Sequence, residues 1–185
     1  MSEQVSSFLS TEIGSMKYLF YITSWNDFQT KIADVLNGNW EKFGEALGQS
    51  GKIIKPYDSA NHIVFEQILA KGWPEKISRR IREEQDPFMI VTKIGFEEFD
   101  PNKDKWTIIW FSEFLDSPED IPYTLKSMAA IARDRDDLIE YLNRESAKKE
   151  MSDYAELIEL KPGLFGCSID LKKAVKKILN ITGAL

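Results

Sequence analysis

Glu159-Leu160-Lys161 sets a carboxylate two residues from an ammonium. A metal-dependent nuclease strand uses that spacing to hold magnesium and orient a water. Such a site needs a further acid on a neighbouring strand. The nearest acids, Asp153 and Glu156, lie on or just before the same predicted strand. Alternation puts Glu159 and Lys161 on one face, which for an edge strand is the solvent face. His62 and Cys167 are the only histidine and cysteine, and a fold that joined them would form a base–nucleophile dyad. Cys167 falls within a predicted strand rather than on a sharp exposed turn, where a lone cysteine acts as a small hydrophobe. His62 falls in the first turn of a predicted helix. Cys167 is read as structural and His62 as simply exposed.

Two further segments fall short of known ligand loops. Residues 46–53 read Ala-Leu-Gly-Gln-Ser-Gly-Lys-Ile. A phosphate-cradling loop needs glycine where Ala46 stands and a hydroxyl where Ile53 stands, and it follows a strand, whereas this stretch follows a predicted helix. Asp100-Pro101-Asn102-Lys103-Asp104 offers the first three oxygens of a calcium loop. Lys105 and Phe111 then occupy the positions that require glycine and glutamate, so a hairpin turn is the reading. No cofactor or metal is expected.

Charge is more informative. Positions 97–120 hold eight acids (Glu97, Glu98, Asp100, Asp104, Glu113, Asp116, Glu119, Asp120) against Lys103 and Lys105. That net of −6 equals the charge of the whole chain. The predicted last helix carries Lys172, Lys173, Lys176 and Lys177 opposite an apolar stripe. An acidic pole and a basic patch steer association with charged partners. Glu97, Glu98, Asp100, Asp104 and the four lysines are therefore candidate partner contacts. Trp73 joins them, because Gly72 and Pro74 flank it at a helix junction and make it the tryptophan expected to be partly exposed.

These residues need elements to hold them. The chain has 185 residues, 43% hydrophobic and 12% aromatic, enough for one domain with its own core. Lys17–Thr23, Phe88–Ile94 and Trp106–Phe111 are strand candidates, with unbroken apolar runs at Tyr18–Ile22, Phe88–Val91 and Ile108–Phe111 that should build the core. The last two form a predicted antiparallel hairpin, and Lys161-Pro162-Gly163 joins another over 155–160 and 165–169. Helical stripes lie at 25–36, 40–47, 64–69, 77–81, 121–142 and 171–179, the charged run 133–137 crossing the fifth. Residues 51–60 read as a connection, and 1–15 as a loose N-terminal arm before a single domain, 16–185. Strict βα alternation is absent, so the expected fold is α+β, a mixed and mostly antiparallel sheet of about five strands packed with helices.

The N-terminal residues lack the pattern of a secretory signal. The longest strongly apolar run, Tyr18–Ile22, is far below the roughly 20 residues that span a bilayer. A cytoplasmic protein with no membrane partner is expected, and the acidic balance argues against nucleic acid. The expected function is a non-enzymatic protein-interaction module, a bacterial regulatory, immunity or defence accessory protein. The alternatives are a small-molecule or nucleotide sensor, or a metal-dependent hydrolase using Glu159 and Lys161.

Overall fold

A computed structural model describes residues 2–10, 14–23, 30–84, 87–114, 117–134, 137–144 and 166–169. In chain order the elements are β1 (Ser2–Val5), β2 (Tyr18–Ile22), α1 (Thr30–Asn37), α2 (Trp40–Leu47), β3 (Gly51–Pro56), α3 (Asn61–Leu69), α4 (Glu75–Glu84), β4 (Phe88–Thr92), β5 (Trp106–Trp110), α5 (Asp120–Asp134), a short helical segment 138–144, and β6 (Gly166–Ile169).

The apolar runs lie at the centre of one sheet, of order β1-β3-β2-β4-β5-β6. In β2, Tyr18, Phe20 and Ile22 face one side, and Leu19 and Tyr21 the other. Phe88 and Ile90 likewise separate from Met89 and Val91. Both sides are covered by helices, so the positions of β2, β4 and β5 are apolar except for the buried Thr92 and Thr107, which is why these stretches read as near-continuous apolar runs. The first side carries α1, α2, α5 and segment 138–144 over Phe20, Ile53, Met89, Val91 and Ile109. The second carries α3 and α4 over Tyr21, Ile54, Ile90, Trp106 and Trp110. Arg80 of α4 lies 4.1 Å from the Trp110 ring centroid, a cation–π contact tying that helix to β5.

The fold is α+β with a mixed sheet, as expected, and β4 and β5 form the expected antiparallel hairpin. Among the described residues, β2–β4 and β4–β5 are the antiparallel pairs, whereas β1–β3, β2–β3 and β5–β6 are parallel. The sheet is thus not mostly antiparallel. Two segments expected outside it belong to it. Residues 2–5, read as part of a loose arm, form β1. Residues 51–56, read as a connection, form β3 between β1 and β2. Gly51 meets Phe20 there: a Cβ on Gly51 would lie 2.6 Å from Phe20 Cε2, so glycine is needed for strand and ring to approach.

Arg133 and Asp134 of the charged run belong to α5, and Asp137 lies outside any helix. α5 ends at Asp134, and Asp137 precedes segment 138–144, its carboxylate accepting from the Glu140 N–H at 3.2 Å. The other carboxylate oxygen takes the Lys93 ammonium at 2.9 Å. Burial alone would raise the Asp137 pKa, but the Lys93 ammonium and the Glu140 N–H outweigh it and hold it below the usual value. The expected strand at 155–160, the last helix, and Trp25 and Phe28 of the first stripe fall outside the described residues, whereas Ile32, Val35 and Leu36 of that stripe lie on α1 and pack into the core. No helix among the described residues is long and apolar enough to cross a membrane.

Candidate functional site

Glu97 and Glu98 occupy a turn whose backbone is fixed on both sides. The N–H groups of Glu98 and Phe99 donate to the Gly95 carbonyl at 3.1 and 2.9 Å. Phe96 and Phe99 point inward and are buried. The Phe96 ring meets Phe8 and Tyr21 at centroid distances of 5.3 and 5.2 Å, and its N–H donates to the buried Tyr21 Oη at 2.9 Å. Burial pushes the Tyr21 hydroxyl up to about 12, against the opposing effect of that N–H, so it stays neutral at ordinary pH. Lys71 donates to the Glu97 carbonyl at 2.9 Å. Two aromatic anchors three residues apart thus pin the turn, and the glutamates between them are the side chains left in solvent.

Asp100 and Asp104 do other work. The Asp104 carboxylate accepts from the Asp100 N–H at 2.7 Å. The Asp100 carboxylate accepts from the Asn102 N–H at 2.9 Å and from Lys103 Nζ at 2.7 Å. The Lys103 hydrogen bond, followed by that of the Asn102 N–H, lowers the Asp100 pKa. Asn102 Nδ2 donates to the Gly72 carbonyl and Trp106 Nε1 to the Pro101 carbonyl, both at 2.8 Å. The loop is a self-bonded turn docked on the end of α3. Its carboxylates are spent internally, unlike those of Glu97 and Glu98.

Trp73 is the clear correction. Expected to be partly exposed, it is 5% exposed. Its Nε1 donates to the Ile68 carbonyl at 2.7 Å, and its ring meets Trp106 edge-on at 5.0 Å and Phe99 at 5.5 Å. Gly72, at φ +69°, reverses the chain after α3 and drops the indole inward. Trp73 is a core residue supporting the acidic turn.

The remaining sequence candidates do not assemble. His62 is exposed in the first turn of α3, which contacts the short turns at 8–10 and 58–60. Cys167 lies on edge strand β6, in register with Thr107 and four strands from β3. Lys172, Lys173, Lys176, Lys177, Glu159 and Lys161 fall outside the described residues. Among the described residues, no group of three or more His, Cys, Asp and Glu gathers to hold a metal.

One concavity was not legible in the sequence. α2 and α5 enclose about 280 Å³ between Asn39, Lys42, Phe43 and Ala46 on one helix and Pro122, Leu125 and Lys126 on the other. Phe43 and Leu125 lie on the helical stripes at 40–47 and 121–142, and each has a buried side chain. The groove depends on two helices about 80 residues apart, and no local spacing announces it. Compared with protein-family models, curated proteins and solved structures, the chain matches none.

Proposed function

We propose that the chain is a non-enzymatic interaction module that acts by binding a partner protein, with Glu97 and Glu98 among the contacts. The supporting observation is their mounting: two exposed carboxylates, without an ion-pair partner among the described residues, on a turn anchored by Phe96 and Phe99. A turn whose backbone is fixed before contact loses little backbone freedom on binding. Its charges also raise the association rate by steering a basic surface.

The test starts from a pull-down in the native host, read by mass spectrometry, followed by stopped-flow association with the captured protein. Glu97→Gln with Glu98→Gln is expected to slow association several-fold at low salt, to flatten its salt dependence, and to leave the melting curve unchanged. Asp100→Asn is expected to do the reverse, loosening the loop with less effect on rate. Recovery of a stoichiometric small molecule in place of a protein, or a rate unchanged by the double substitution at every salt concentration, would refute the reading.

A further inference from the structure

We infer that the groove between α2 and α5 is a second docking surface, and that its occupant is an acidic amphipathic helix of a partner protein. The inference rests on reading the chain as a protein-binding module.

The geometry comes first. Asn39, Lys42, Phe43 and Ala46 stand at i, i+3, i+4 and i+7 on α2, one stripe of a helix; Pro122, Leu125 and Lys126 stand at i, i+3 and i+4 on α5. Phe43 and Leu125, each 2% exposed, make the floor. Ala46 is short and leaves room above it. Among the described residues, only these two helices line the concavity. Small-molecule pockets surround most of their ligand, whereas among the described residues this groove has two walls and no roof. A third helix laid along it would insert side chains at helical spacing against both walls, the helix-in-groove mode of recognition. Tyr123, next to Pro122 on α5, is 60% exposed, and adds apolar surface near the groove.

Charge then selects the occupant. Lys42 and Lys126 stand one on each wall, both exposed. Neither forms an ion pair among the described residues, in a chain whose net charge is −6. The Asn39 amide donates to the Val35 carbonyl at 2.7 Å and so caps α1. Two unmatched ammonium groups beside an apolar floor complement a helix with apolar residues along its centre and carboxylates flanking them.

The test uses two fluorescein-labelled peptides and the full chain. Both carry leucines at i, i+3, i+4 and i+7; one has glutamates at the flanking positions and the other lysines. Anisotropy titrations are expected to show that the glutamate peptide binds, and binds less tightly at physiological than at low salt. Lys42→Glu with Lys126→Glu should weaken it about tenfold or more while strengthening the lysine peptide, since like charges are then removed from one pair and created in the other. Both positions are exposed, so the fold tolerates the exchange. Equal binding of the two peptides, or no binding, overturns the inference. So does displacement of the glutamate peptide by dodecanoate at lower concentration than by unlabelled peptide, which would assign the groove to a small anionic amphiphile. The titration needs no native partner, so its failure is separable from that of the Glu97 and Glu98 experiment.

Discussion

Replacing Gly51 with alanine sets two opposing effects against each other at a place where the structure fixes the sign. Gly51 opens β3 with φ −164° and ψ 159°, extended backbone that any residue adopts. By conformation alone the alanine would stabilise by about 0.4–1 kcal/mol, because it narrows the unfolded ensemble. Against this, its Cβ would lie 2.6 Å from Phe20 Cε2, some 0.8 Å short of the 3.4 Å at which ordinary contact begins. Phe20 has little freedom to retreat: it is fully buried, and its ring stands edge-on to Phe43 at 5.2 Å. Overpacking of a filled core costs about 1–3 kcal/mol, so the net expectation is a loss of roughly 0.5–2 kcal/mol. For a chain of this size that lowers the melting temperature by roughly 1–8 °C. Urea denaturation of a double-mutant cycle isolates the cause. In a Phe20→Leu background the offending ring atom is gone, and Gly51→Ala should become neutral or stabilising, a coupling of about 1–3 kcal/mol. An alanine that stabilises the otherwise native chain would refute the packing of β3 on β2. An equal penalty in both backgrounds would move the cause to the Tyr18 carbonyl, 3.3 Å from the same Cβ.

Ile109→Ala, at a β5 position 1% exposed and opposite Met89, should cost about 2–5 kcal/mol in denaturant melts; a neutral result would show the strand misassigned. Asp137→Asn should remove a pH-dependent share of stability. The folded-state pKa of Asp137 is depressed, so its contribution is complete above the unfolded carboxylate value of about 3.9 and is lost as pH falls through the folded value. Melts of the two proteins should therefore differ at neutral pH and converge in acid, and a gap constant with pH would refute the Lys93–Asp137–Glu140 arrangement.

Legibility in the sequence followed burial. β2, β4 and β5 are covered on both faces, so every position is apolar or threonine and the runs stand out. β3 is just as central, yet only Ile53 and Ile54 break its polar surface pattern. Lys52 pairs with Glu3 at 2.5 Å and Lys55 donates to Asn37 at 2.7 Å. Lys52 is thus matched by a carboxylate and Lys55 by an amide on neighbouring elements, partners that no local spacing shows, so the segment reads as a connection. β1 is shorter still and has one buried residue, Val5. Trp73 was misjudged for a different reason. Gly and Pro correctly marked a junction, but an indole at a junction can face either way, and here the rings of Phe99 and Trp106, distant in sequence, offered it a cavity. The acidic turn was visible as charge. The separation of Glu97 and Glu98 from Asp100 and Asp104 was not, since it depends on hydrogen bonds that close the loop on itself.

The topology explains why the two proposed surfaces are independent. The chain passes from β2 to β3 through α1 and α2 on one face of the sheet, and from β3 to β4 through α3 and α4 on the other. Phe96 and Phe99, which mount the acidic turn, belong to the second face, whereas Phe43 and Leu125, which floor the groove, belong to the first. A full sheet separates them, and they share no packing partner. Substitutions at Glu97 and Glu98 should therefore add to those at Lys42 and Lys126 without coupling. The surfaces also ask for opposite chemistry, basic for the turn and acidic for the groove. One rigid partner would have to wrap the β1 or β6 edge to reach both. Two partners, or one with a flexible acidic segment, would satisfy them without that constraint. Additivity of the two double substitutions toward a single captured protein would identify the flexible case, and strict partition of their effects between two proteins the other.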